Sequence, residues 1–214
     1  MFGKSTGARP HRMELCRVAC VPWVTPFARA QPKVSAMSDP HLTERYSSVA
    51  RVFHWLIVAL IIVQFAIAWT MPEIERNTRP EGMVGWHLTI GLLILLTALA
   101  RLFWRASHKP PPPPRGLAPA LKLLSRATHI GLYALLIVLP LMGWINASAR
   151  GWAVKLFGFV PLPALVPSGS AIGRQMGDIH ATTAIVLLVV IGLHVAGAAY
   201  HALVLRDRTL QRMI

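Results

Sequence analysis

Four stretches of about twenty apolar residues each, split by short polar or proline-rich segments, constrain this chain more than any other feature. A helix needs ~20 mostly apolar residues to cross the hydrocarbon core of a bilayer. The stretches run over about 52–69, 83–104, 127–145 and 179–205, and they leave little chain for a soluble domain. The 214 residues are 54% hydrophobic and only 14% charged, which is also too apolar for an ordinary soluble fold. The expected architecture is all-α, an integral membrane four-helix bundle. The formal net charge of +14 sits between the spans and at the ends, without the interleaved aromatics of a nucleic-acid surface. It therefore sets orientation.

The link between spans 2 and 3 carries Arg105, Lys109, Arg115, Lys122 and Arg126 and no acid. The tail carries Arg206, Arg208 and Arg212 against Asp207, whereas the first loop sets Arg76 and Arg79 against Glu73, Glu75 and Glu81. Positive-inside charge then puts both termini and the 2–3 link in the cytoplasm. Pro110 to Pro114 predict a stiff polyproline II spacer, and Pro140 predicts a kink within span 3. An amphipathic stretch over 117–125 is expected at the interface ahead of span 3, and the proline-rich apolar patch 156–166 on the bundle surface. Asp178 is expected to cap helix 4, where a negative group suits a helix start.

Residues 1–40 read as a basic extension outside the membrane domain of 41–214. No apolar run there has signal-peptide length, and a start at Met37 is favoured over a disordered basic tail. Cys16 and Cys20 lack the Cys-x-x-Cys-His spacing of covalent haem attachment.

Ionisable side chains inside spans are costly, so each intramembrane histidine is a functional candidate. His54 lies near the cytoplasmic start of span 1, and His87 near the outer start of span 2. His180 opens span 4 on the outer side, with His194 fourteen residues later. On a helix that separation is roughly 21 Å of rise with the two side chains about 40° apart, so they share a face at two depths. His87 matches His180 in depth outside, and His54 matches His194 inside. Two bis-histidine haem sites follow, the iron in each held axially by imidazole. Gly85, Gly91, Gly192 and Gly197 would leave room for a flat macrocycle. His129 and His201 have no comparable pairing and read as interfacial hydrogen-bonders, or as contacts to a quinone ring or a haem propionate. His11, His41 and His108 lie outside the spans and are expected to be solvated.

Five segments stand out together: Arg45-Tyr46-Ser47-Ser48 leading to His54-Trp55, Trp86-His87-Leu88-Thr89-Ile90-Gly91, Asp178-Ile179-His180, Gly192-Leu193-His194 with His201, and the ending Asp207-Arg208-Thr209-Leu210-Gln211-Arg212-Met213. On these segments the chain from Tyr46 onward resembles the bacterial cytochrome b561 family. It implies two b haems, held by His54 with His194 and by His87 with His180, in a bacterial inner-membrane protein. It also implies ubiquinone as electron acceptor or donor and, in one branch, superoxide as the outer substrate. Arg150, Lys155 and Arg174 in the outer 3–4 loop would suit a small anion. Two rivals stand beside superoxide oxidation. One is a quinol-linked electron-transfer subunit for a periplasmic or hydrogenase-like redox partner. The other is a non-redox histidine-rich metal transporter, which the lack of His-Glu-x-x-His and of carboxylate–histidine clusters disfavours.

Overall fold

The computed structural model describes residues 45–75, 77–112 and 116–214. Cys16, Cys20, His11, His41, Met37, Arg76, Pro113, Pro114 and Arg115 lie outside the described residues, as do the readings attached to them. Four long helices carry the fold: α1 over Ser48–Thr70, α2 over Gly82–Ser107, α3 over Pro119–Ala149 and α4 over Ala171–Tyr200. All four are long and apolar enough to cross a membrane, α4 together with the π-helical turn His201–Leu205 that continues it. Their outer faces are open hydrocarbon, with Val52, Phe103 and Leu203 all well exposed. This is the arrangement expected when lipid rather than protein covers the apolar surface.

Helix limits depart from the apolar windows in a consistent way. The stretch expected as a separate interfacial element is the first two turns of α3. Pro119 sits at the helix start, where a missing N–H costs nothing, and no glycine or proline interrupts residues 120–130. Helix α3 then runs through Pro140 as one element. Helix α4 begins at Ala171 rather than near Asp178, with the Ser170 hydroxyl accepting from the Gly173 N–H at 3.3 Å. Ser170 is therefore the cap. Asp178 lies two turns inside the helix, which corrects its expected role.

The all-α expectation needs one amendment. In the α3–α4 loop, β1 (Lys155–Leu156) pairs antiparallel with β2 (Val160–Pro161). Three residues join the paired Leu156 and Val160, and two of them, Phe157 (φ +54°) and Gly158 (φ +79°), turn the chain in the left-handed region. The rest of this loop is tied down by single hydrogen bonds. Trp144 Nε1 donates to the Pro163 carbonyl at 3.1 Å, the Leu165 N–H to Ser148 Oγ at 3.1 Å, and Trp152 Nε1 to the Thr78 carbonyl at 3.1 Å.

Helix α1 packs on α2, α2 on α3 and α3 on α4, but no comparable packed interface joins α1 to α4. All four helices meet in one layer, where Ile57, Ile94, Ala98, Leu136 and Leu187 are buried together. Leu187 is two turns from both His180 and His194, so this apolar layer lies midway between them. At the end of the bundle where α1 and α3 begin, the chain folds back after Arg206, itself left-handed at φ +50°. The Tyr46 N–H then donates to the Arg212 carbonyl at 3.1 Å, Trp55 Nε1 to the Met213 carbonyl at 3.0 Å and Arg212 Nη1 to the Pro112 carbonyl at 2.9 Å.

Candidate functional site

The histidines gather at two levels, one on each side of the apolar layer. At the level nearer the starts of α1 and α3, the His54 and His194 ring centroids are 6.2 Å apart with planes at 71°. At the opposite level, the His87 and His180 centroids are 6.0 Å apart with planes at 70°. Each pair brings a ring from α4 to face one from α1 or α2. Two imidazoles that bind one metal from opposite sides, each bond about 2 Å long, have ring centres roughly 6 Å apart. Both pairs meet that spacing.

His180 is fixed by its surroundings. Its Nδ1–H donates to the Leu139 carbonyl at 2.9 Å, which leaves the Nε2 lone pair for a metal. Gly143 makes room for the ring, because a Cβ there would stand 3.2 Å from His180 Cε1 and 3.4 Å from Nδ1. Of the four glycines expected to admit a macrocycle, Gly192 and Gly197 on α4 do face open space. Gly85 instead packs on the Pro80 carbonyl, and a Cβ on Gly91 would meet the Gln64 amide. The gap beside α1, the open face of α4 and the two ring pairs fit a flat metal-bearing group such as haem. Among the described residues no cluster of three His, Cys, Asp or Glu side chains could hold a bare metal ion.

His129 departs from expectation. Sequence gave it no partner, yet its ring centroid lies 5.2 Å from that of His194 with planes at 84°. The spacing is tighter than in the other two pairs, and its Nδ1–H is committed to the Ser125 carbonyl at 2.6 Å. His201 donates from Nδ1 to Asp207 Oδ2 at 2.6 Å, within the fold-back rather than toward another ring. His108 stacks on Trp104 with centroids 3.7 Å apart.

Two side chains near the pairs escaped sequence reading. Arg101, inside α2, donates from Nε to Tyr133 Oη at 3.0 Å and from Nη1 to the Ala50 carbonyl at 3.2 Å. With Arg45, Tyr46, Trp104, Arg105 and Lys109 it lines a cavity of about 670 Å³ beside the α1 start. Gln64 on α1 touches His87. A lone arginine and a lone glutamine within apolar spans were the available signals.

A family model described as prokaryotic cytochrome b561 matches residues 45–214. Cytochrome b561 homolog 2 of Escherichia coli (strain K12) is 29% identical over 185 residues, covering 83% of this chain and 95% of that protein. A probable superoxide oxidase of Yersinia pestis is 29% identical over 175 residues, covering 80% of this chain and 96% of its own length. Cytochrome b562 of Cereibacter sphaeroides is 26% identical over 175 residues, 79% of this chain and 94% of the relative. With four apolar helices and histidine rings paired between them, the chain belongs to the prokaryotic cytochrome b561 family of multi-pass bacterial membrane proteins, whose cofactor is b-type haem.

Proposed function

We propose that the chain carries electrons across the inner membrane through two b haems, oxidising superoxide at the outer face and reducing ubiquinone. The observation that carries this reading is the pair of facing histidine rings at each of two depths, 6.2 Å and 6.0 Å between centroids. His54 and His194 would hold the inner haem and His87 and His180 the outer one, each group supplying one-electron carriage when bound. The chain's part is to present Nε2 atoms, exclude water and fix the separation. Two superoxide ions give up one electron each and leave as dioxygen, and ubiquinone takes both electrons with two protons to become ubiquinol.

The outward-facing substrate rests on the positive-inside orientation, with both termini cytoplasmic. Under it, Arg150, Lys155 and Arg174 lie outside and favour an approaching anion. The superoxide assignment draws further support from the Yersinia pestis relative. On the inner side, His129 beside His194 and the hydrogen-bonded His201–Asp207 pair are the proposed contacts for a quinone ring or a haem propionate. The test is rapid mixing of purified protein with a superoxide pulse and a soluble ubiquinone. Reduced b-type bands, about two haems per chain and quinone reduction are expected, and no quinone reduction would overturn the superoxide step. Absence of b-type bands would overturn the whole reading. His54→Ala and His194→Ala should each deplete one haem, and His87→Ala and His180→Ala the other.

A second reading takes the outer electron donor to be a periplasmic redox protein. It is favoured by the hairpin tip, where Phe157 and Phe159 stack and are 55% and 73% exposed. Copurification of a partner with its own redox centre would select it.

A further inference from the structure

Gln64 is the only polar side chain in the nine-residue stretch from Leu60 to Ala68 of α1. An amide at that depth is costly unless its donor and acceptor are both used. Its Nε2 donates to the His87 carbonyl at 3.1 Å and lies 3.2 Å from His87 Nε2. The second contact works only if that imidazole nitrogen accepts, so the His87 proton sits on Nδ1. In this arrangement two buried atoms lack a partner, Gln64 Oε1 and His87 Nδ1. One is an acceptor and the other a donor, and they belong to two residues already in contact.

We infer that Gln64 is the positioning residue for His87. A half-turn of the imidazole brings its Nδ1 edge to the amide, so that Gln64 Oε1 accepts the Nδ1 proton while Gln64 Nε2 keeps the His87 carbonyl. The amide and the histidine then satisfy each other, one donor and one acceptor on each. His87 Nε2 is left with a free lone pair and a fixed direction. A metal-binding imidazole is usually steered through its other ring nitrogen in this way, which also raises its basicity. His180 across the site is already steered so, by the Leu139 carbonyl. Gly91, one turn beyond His87, completes the device. A Cβ there would stand 3.3 Å from Gln64 Nε2 and crowd the amide. Its lack of a side chain serves the glutamine rather than a macrocycle.

The inference rests on reading His87 as a haem ligand, and the experiment separates the two. Gln64→Met keeps length and bulk but removes the acceptor, whereas Gln64→Glu strengthens it. Potentiometric titration of the haem-loaded full chain should show the outer component more positive in Gln64→Met and more negative in Gln64→Glu, with the inner component unchanged. Loss of the outer haem in Gln64→Met with retention in Gln64→Glu would support the same role. Unchanged potentials in both variants, a shift of the same sign in both, or loss of haem in both would overturn it. If His87→Ala still holds two haems, the ligand assignment itself fails. If His87→Ala loses one while the Gln64 variants behave as wild type, only the positioning role fails.

Discussion

Replacing Leu187 by alanine empties space in the apolar layer where all four helices meet. Leu187 is 3% exposed and packs in the cluster with Ile57, Ile94 and Leu136. In a soluble protein the cost would combine a transfer term with a cavity term. In a membrane the unfolded spans are already in lipid, so the transfer term largely falls away and packing remains. Roughly 80 Å³ of emptied space at about 24 cal/mol per Å³ gives about 2 kcal/mol. For a chain of this length that corresponds to a fall in Tm of roughly 4–8 °C. The assay is thermal unfolding in detergent followed by tryptophan fluorescence, with Ile185→Ala as control. Ile185 is 58% exposed on the same helix, and its truncation should move Tm by less than about 2 °C, as a surface change does. Equal shifts in the two variants would refute the layer as a packed core.

Three further outcomes follow from single residues. Gly143→Val should press on the His180 ring, since a Cβ there would stand 3.2 Å from Cε1, and under the proposed ligand role of His180 it should weaken haem retention at that pair about 10-fold, read by haem per chain; unchanged haem content would refute the contact. Asp207 is partly desolvated, which alone would raise its pKa, but hydrogen bonds from Thr209 and His201 outweigh this and hold the carboxyl below its usual range. A depressed folded pKa means that its contribution is present above the ordinary carboxylate range and is lost as pH falls through it. Proteolysis of the segment after Leu205 should therefore accelerate on acidification, and Asp207→Asn should flatten that dependence. Phe157→Gly should relieve the left-handed φ of +54° and, after the extra entropy of an unfolded glycine, stabilise the hairpin by about 0.5 kcal/mol in hydrogen exchange.

The spans and the depths of the histidines were legible because charge and imidazole stand out against apolar sequence. Helix ends were less so. An apolar window marks where hydrocarbon begins, whereas α3 and α4 start at Pro119 and Ala171, about two turns outside it. Depth could match His54 with His194 and His87 with His180, but it carries no information on which way α3 is rotated. The approach of His129 to His194 was therefore out of reach. The same holds for Gly143, whose meaning depends on a ring from another helix. Gln64 was visible as an isolated amide, yet only its contact with His87 gives it a purpose. The hairpin at Lys155–Pro161 hid within a proline-rich apolar patch, where neither strand is long enough to alternate.

The layer of Ile57, Ile94, Ala98, Leu136 and Leu187 has a consequence for membrane energetics. It holds no side chain that could carry a proton and separates the two histidine levels. Electrons tunnel through such a barrier, whereas protons need a chain of polar groups or water. Under the proposed orientation and haem assignment, an electron moving from the outer pair to the inner one would cross unaccompanied, and each crossing would be worth about 2.3 kcal/mol per 100 mV of membrane potential. A membrane negative inside opposes that inward step. The voltage across the membrane would thus act on the rate of turnover, with dry hydrocarbon side chains as the dielectric of a small capacitor.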